Sequence, residues 1–165
     1  DPVIVSEEYP AERHREEFSR MCRFLEGSTE RCVLSFVDIY RKNRGRGFRE
    51  TSPEIMHGLV RSFAGSAAGR GISLHTCCEA EDFGGEGIPR GACVDRTLAE
   101  RIAGHPLDAG KDRNQRPLCG CAASADIGAY DTCPAGCLYC YAVRDLRTAE
   151  ANRARHDPDS PFLVP

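Results

Sequence analysis

The residues of this chain best suited to chemistry are its cysteines. Ten occur in 165 residues, and five fall within residues 119–142. Three of those, Cys133, Cys137 and Cys140, have the spacing C-x3-C-x2-C, with Tyr139 just before the third. That spacing suits a four-iron, four-sulfur ([4Fe-4S]) cluster with three protein thiolates and one open iron. An open iron can bind a small molecule, so such a centre can do chemistry as well as carry electrons. Two alternatives rank lower. Zinc usually takes four ligands, often as paired C-x2-C knuckles. A disulfide framework needs an oxidising compartment.

The other cysteines divide by context. Cys22 lies on the apolar stripe of an expected helix and Cys32 at the start of an expected strand, so both read as small core hydrophobes. Cys77 ends a strand, Cys93 follows a glycine-rich loop, and Cys119 and Cys121 form C-x-C. These four sit outside regular apolar stripes. Four thiolates are enough to close a second metal site, either a second [4Fe-4S] cluster or a structural zinc. Cys78 is then a spare, pointing away from Cys77 if the strand continues.

The totals narrow the class. The length is about one domain, and an apolar fraction of 41% is enough for one core. About 6% cysteine lies below the roughly 8–10% of small disulfide scaffolds. No charged-then-apolar signal segment opens the chain, so a reducing, cytoplasmic setting is expected. A net charge of −3 with a pI of about 6.0 is not the footprint of a duplex-binding protein. No apolar run reaches the roughly 18 residues of a membrane span. Asp1 rather than Met at the start, followed at once by a strand-like run, leads us to expect a piece of a longer polypeptide or a truncated member of its family.

These groups need elements to hold them. Residues 3–5 read as a buried strand, and residues 11–26 as a helix with Phe18, Met21, Cys22 and Leu25 on one stripe. Residues 32–37 make a second strand. Ser52, as N-cap, and Pro53 open another helix, which buries Ile55, Met56, Leu59, Val60 and Phe63. Residues 72–77 make a third strand. A short helix follows Asp95, and a last one spans about 142–155. The succession of strands and helices is the βαβ pattern of a parallel sheet. The expected fold class is therefore α/β. Residues 1–105 would be a partial (β/α) barrel of parallel strands with helical cover, TIM-barrel-like. Residues 106–165 would form an irregular cysteine-rich iron–sulfur segment packed on it. Glu7, Asp38, Tyr40, Cys77 and Glu79 would lie at the strands' C-terminal ends, the active face of such barrels. A half barrel leaves sheet edges unpaired, which calls for a partner chain, a missing N-terminal half or the cysteine-rich tail as cover.

Thr132-Cys133-Pro-Ala-Gly-Cys137-Leu-Tyr139-Cys140-Tyr-Ala resembles the cluster motif of radical S-adenosylmethionine (SAM) enzymes. The resemblance implies that Cys133, Cys137 and Cys140 hold the cluster and that SAM chelates the open iron. Reductive cleavage of SAM would then give a 5′-deoxyadenosyl radical, with Tyr139 near the adenine. It also implies a reductant such as a flavodoxin or ferredoxin. A wider set of segments resembles one uncharacterised family, the domain of unknown function numbered eighteen-forty-eight. They are Ser35-Phe-Val-Asp38-x-Tyr40, Thr76-Cys77-x-Glu79, Gly87-Ile88, Cys93-x-Asp95, Lys111-Asp-x-Asn114-Gln115-Arg116, Cys119-Gly-Cys121, Ser124-x-Asp126-Ile-Gly-x-Tyr130 and His156-Asp-Pro-x-Ser160-Pro. The match implies a barrel with a C-terminal radical-SAM-like cluster, of which this chain is the C-terminal half. It supports grouping Cys77, Cys93, Cys119 and Cys121, and it names no substrate. Cys140-Tyr-Ala is similar to the photoproduct-lyase branch as well. In radical SAM cores the motif usually comes early, whereas here it follows the strands.

The basic stretch before C-x-C offers Lys111 and Arg116 to the SAM carboxylate, to a substrate or to cluster thiolates; a solvated loop is the plain alternative. His75 reads as a core residue ahead of a ligand. Gly84-Gly85-Glu86 imitates a SAM-binding glycine motif but reads as a loop. The basic loop 41–49 reads as a solvated connection that could contact phosphate.

Overall fold

The computed structural model describes residues 2–41 and 43–164. The chain groups into two compact units. The first comprises Asp1–Ile39 and Phe48–Ser124, the second Tyr40–Gly47 and Ala125–Pro165.

The first unit is mixed helix and strand. It runs α1 (Ala11–Leu25), β1 (Arg31–Leu34), α2 (Pro53–Ala68), β2 (Ser73–Thr76), a 3-10 turn (Gly84–Glu86) and α3 (Arg96–Ala103). β1 and β2 pair in parallel, with Cys32 opposite Leu74 and Leu34 opposite Thr76. Single parallel bridges flank the pair, Val3 with Phe36 on one side and Thr76 with Arg90 on the other. The four extended segments thus lie side by side in chain order, all parallel. Among the described residues the sheet itself has two strands and does not close into a barrel.

The expected strand at residues 3–5 shrinks to the bridge at Val3. Its amide donates to Ser35 O at 2.7 Å, and its carbonyl accepts from Val37 N at 3.1 Å. On the opposite edge the Ile4 carbonyl accepts from His14 Nε2 at 2.9 Å, and a turn closes from Ser6 to Tyr9 and takes the chain away from the sheet.

The core lies between the helices and the sheet. Phe18, Cys22, Leu34, Phe36, Leu59, Val60, Phe63, Leu74 and Phe83 are buried in one cluster. Phe18 of α1 stacks on Phe63 of α2, with ring centroids 4.3 Å apart. Cys22 and Cys32 behave as core hydrophobes, Cys22 buried and Cys32 packed against the cluster. The apolar stripes are narrower than their sequence spacing suggests: Met21 and Ile55 are 49% and 39% exposed. Pro53 begins α2, but the Ser52 side chain makes no capping bond; the Ser52 carbonyl accepts from Met56 N instead. Asp95 does cap α3, accepting from Thr97 N at 2.8 Å and Leu98 N at 3.2 Å. Its other oxygen pairs with Arg31 at the start of β1, so one carboxylate ties α3 to the sheet.

The second unit contains α4 (Leu146–Arg155). The helix starts four residues later than the expected position near 142, because Asp131 claims the preceding backbone. The Asp131 amide donates to Ala142 O, and its carboxylate accepts from Arg144 N at 2.5 Å. Asp145 then caps α4 through Thr148 N at 2.9 Å and Thr148 Oγ1 at 2.7 Å. Among the described residues no helix is long and apolar enough to cross a membrane.

Candidate metal centre

β2 delivers the first thiol of the site. The ladder continues one residue beyond it, with Cys77 N donating to Leu34 O at 2.9 Å. Cys78 then takes the left-handed conformation, φ 56°. A non-glycine residue adopts this at a cost. The kink separates the fates of two adjacent cysteines: Cys77 is buried and joins the thiol group, whereas Cys78 stays outside it.

The second thiol comes from the loop after Arg90. This loop is held to the sheet edge by Thr76 N on Pro89 O at 3.1 Å and Gly91 N on Thr76 O at 2.7 Å. A Cβ at Gly91 would lie 2.8 Å from His75 Cβ, so only glycine lets the loop pass this close. The last two thiols sit on a narrow turn. Lys111 bridges Ala122 in antiparallel fashion, Asp112 N donates to Cys121 O at 3.0 Å, and Ala122 N donates to Val94 O at 2.9 Å. Gly120, between the two cysteines, would put a Cβ 3.2 Å from Gly91 O. The C-x-C turn and the Gly91 loop are thus in direct backbone contact.

The result is a sulfur cluster. Cys77, Cys119 and Cys121, all buried, place their Sγ atoms within 4.8 Å of one another. Cys93 Sγ lies 3.3 Å from Cys77 Sγ. Every cysteine is a free thiol. Burial pushes the Cys77 thiol up to about 12, helped by the hydrogen bond with Cys93 and the neighbouring sulfurs. Cys121 goes the other way. Burial opposes its thiolate, but the Val94 amide at 3.4 Å, the Cys119 thiol and the Cys93 amide outweigh it. The amides around Cys121 thus favour its thiolate, while burial favours the protonated form of Cys77. Sulfur-only donors at this spacing fit a thiophilic metal, and the amides aimed at Cys121 are the hydrogen bonds that metal thiolates accept.

Beside this cluster, Glu79 is buried and accepts from Phe36 N at 2.8 Å. Burial pushes its carboxyl up, outweighing the Phe36 amide that pulls it down. Arg116 pairs with Asp38, and Lys111 Nζ donates to Pro117 O at 2.5 Å. Both cations thus serve contacts within their own unit. Glu7 is exposed. His75 is half-buried on β2, where burial lowers its pKa. Gly84-Gly85-Glu86 forms the 3-10 turn, and Glu86 accepts from His57 Nδ1 at 2.8 Å and Arg61 at 3.2 Å.

Cys133, Cys137 and Cys140 belong to the second unit. Cys133 and Cys137 are exposed and Cys140 is half-buried. Cys140 N donates to Cys137 O at 3.0 Å, and Gly136 supplies a left-handed turn at φ 67°. Among the described residues these three thiols are not in a group within 4.8 Å of one another. Tyr139 packs edge-on against Tyr40, centroids 5.8 Å apart, and its carbonyl accepts from Tyr40 Oη at 3.4 Å. Arg46 donates to the Leu138 carbonyl at 2.7 Å. The basic loop is therefore partly used to hold the cysteine loop in place.

Several participants carry no local sequence signal: the Val94 amide, the His75 contact that demands Gly91, and the Asp131 carboxylate. The C-x-C glycine is visible in the sequence, but its reason is the carbonyl of a residue far along the chain.

No curated protein and no solved structure matches the chain. A family model described as Domain of unknown function (DUF1848) matches residues 1–142. The chain belongs to that family, whose function is not assigned, and it brings to it a group of buried thiols at metal-ligand spacing.

Proposed function

We propose that this chain is a thiolate metalloprotein of the radical-SAM-like kind. Cys133, Cys137 and Cys140 would hold a [4Fe-4S] cluster, and Cys77, Cys93, Cys119 and Cys121 a second metal. The observation that carries the metal reading is the meeting of Cys77, Cys119 and Cys121 within 4.8 Å, with Cys93 at 3.3 Å from Cys77. Buried neutral thiols gain little by facing one another, whereas metal-bound thiolates gain much. The SAM reading is supported by the C-x3-C-x2-C spacing and the aromatic residue beside its third cysteine. When bound, a cluster with an open iron supplies an electron to the sulfonium of SAM. The chain's own part is to present the three thiols from a loop steadied by Tyr40 and Arg46, with the Tyr139 ring packed against Tyr40. The parallel, chain-ordered segments of the first unit agree with a partial (β/α) barrel. A flavodoxin or ferredoxin would supply the electron.

A second reading is a metal-stabilised or electron-transfer module without SAM chemistry. It is favoured by the exposure of Cys133 and Cys137. Anaerobic reconstitution of the full chain with iron and sulfide, followed by SAM and dithionite, separates the two. The enzyme reading expects absorbance at about 400 nm and 5′-deoxyadenosine, both lost in a C133A/C137A/C140A variant. A reconstituted brown protein that yields no 5′-deoxyadenosine and whose spectrum ignores SAM supports the module instead.

A further inference from the structure

The thiol spacings discriminate between two kinds of centre. A single tetrahedral ion with metal–sulfur bonds of about 2.3 Å holds its four sulfurs about 3.8 Å apart. A four-iron cluster binds each thiolate to a different iron at an outer corner, so the sulfurs stand roughly 6 Å apart. Here Cys77, Cys119 and Cys121 lie within 4.8 Å of one another; Cys93 is 3.3 Å from Cys77 but stands outside that mutual group, so it must swing toward Cys119 and Cys121 to complete a tetrahedron. We infer that Cys77, Cys93, Cys119 and Cys121 take one thiophilic divalent ion, zinc or mononuclear iron, in closed tetrahedral coordination rather than a second four-iron cluster. The inference deepens the thiolate-metal reading above and rests on it.

The backbone around the sulfurs argues the same way. Gly120 already abuts the Gly91 carbonyl, and Gly91 abuts His75 on β2. Ala122 N on Val94 O at 2.9 Å fixes the C-x-C turn to the Cys93 loop, and Val94 N points at Cys121 Sγ from 3.4 Å. The Cys93 loop is itself fixed to β2 through Gly91 N on Thr76 O at 2.7 Å. Opening the sulfurs to cluster width by moving the backbone would strain contacts on each of these three segments. A single ion needs a smaller displacement, chiefly of the Cys93 side chain.

Such a site has a different role from the Cys133 group. With four thiolates bound, the ion has no open position and cannot take a substrate. It cross-links the end of β2, the loop after Arg90 and the 119–121 turn, segments that are otherwise joined by few regular ladder bonds. The site is a staple for the irregular part of the first unit, and substrate chemistry would fall elsewhere.

Metal content and X-ray absorption of the anaerobically purified full chain test this, in the native protein and in two variants. In C133A/C137A/C140A the proposed site is untouched. It should keep about one zinc or iron per chain, with sulfur scattering at about 2.3 Å and no iron–iron scattering. In C119S/C121S that ion should be lost. Retention of about four irons with iron–iron scattering in the triple-alanine variant would overturn the single-ion inference while leaving the metal reading intact. A native protein that binds no metal at any cysteine overturns both. The triple-alanine variant decides the matter even if C119S/C121S does not fold.

Discussion

Cys77 and Cys93, sixteen residues apart in the chain, bring their sulfurs to 3.3 Å. The two come from different segments, one from the end of β2 and the other from the loop that returns beside it. Burial and the neighbouring sulfurs hold the Cys77 proton, with the thiol at about 12. A metal can bind there only by displacing it. Metal uptake should therefore strengthen with pH, by about tenfold per unit for each proton released. Competition with a chromophoric chelator between pH 6 and 8 reads this directly. A flat profile would mean that Cys77 is not a ligand.

The close approach at Gly91 gives a steric test. An alanine methyl there would meet His75 Cβ at 2.8 Å, an atom fixed to the strand that cannot swing aside. The loop must then lift from β2, straining its bonds to Thr76. Gly91→Ala should cost about 1–3 kcal/mol, seen as a lower denaturant midpoint, and should weaken metal retention. Gly65 lies inside α2 with open space around its Cα. Gly65→Ala should stabilise by about 0.5–1 kcal/mol. Equal effects of the two substitutions would remove the packing argument.

These two tests show what the sequence could and could not carry. The buried positions Phe18 and Phe63, the Pro53 start and the short helix after Asp95 follow local patterns, and the structure has them where expected, although the stripes are narrower than their spacing. The βαβ order was also legible, but the extent of pairing was not, because each bridge depends on a partner segment far along the chain. The C-x3-C-x2-C motif stands out because its spacing is local. Cys77, Cys93, Cys119 and Cys121 could be grouped only by elimination and by family resemblance, since tertiary contacts bring them together. The start of α4 was misplaced for a related reason. Asp145 with Thr148 is a readable cap, but the demand that Asp131 makes on residues 142–145 is visible only in three dimensions.

His57 predicts a pH dependence of stability. Its protonated ring donates to Glu86 at 2.8 Å and Glu81 at 3.2 Å, and the Glu86 contact joins α2 to the 3-10 turn. The Glu86 contact, then the Glu81 contact, raise its pKa above the ordinary 6.5. A raised histidine binds its proton more tightly folded than unfolded. Its stabilisation is complete below about pH 6.5 and fades as pH rises through the folded value. Urea melts of the native chain from pH 5.5 to 8.5 should show this decline, and His57→Gln should flatten it. A decline of the same size in His57→Gln would assign the effect to other groups.

Asp131 is the hinge of the second unit's hydrogen bonding. Its backbone is left-handed at φ 55°. Its carboxylate accepts from Arg144 N at 2.5 Å and Nε at 2.9 Å, and from Asp145 N at 3.4 Å. Its own carbonyl accepts from Asn152 of α4 at 2.9 Å. Two demands meet at one residue, a conformation that favours Asn, Asp or Gly and an anion that can serve several donors. Asp131→Asn keeps the first and part of the second, whereas Asp131→Ala loses both. Amide exchange in α4 should therefore quicken modestly in Asp131→Asn and strongly in Asp131→Ala, with α1 and α2 unchanged in each. The amide of Arg144 pulls the Asp131 carboxyl below its ordinary value, aided by the Arg144 guanidinium. The α4 protection that depends on it should accordingly persist above the usual carboxylate range and be lost only as pH falls through the lowered value. If Asp131→Asn and Asp131→Ala loosened α4 equally, the carboxylate would be the whole cause and the backbone conformation would contribute nothing.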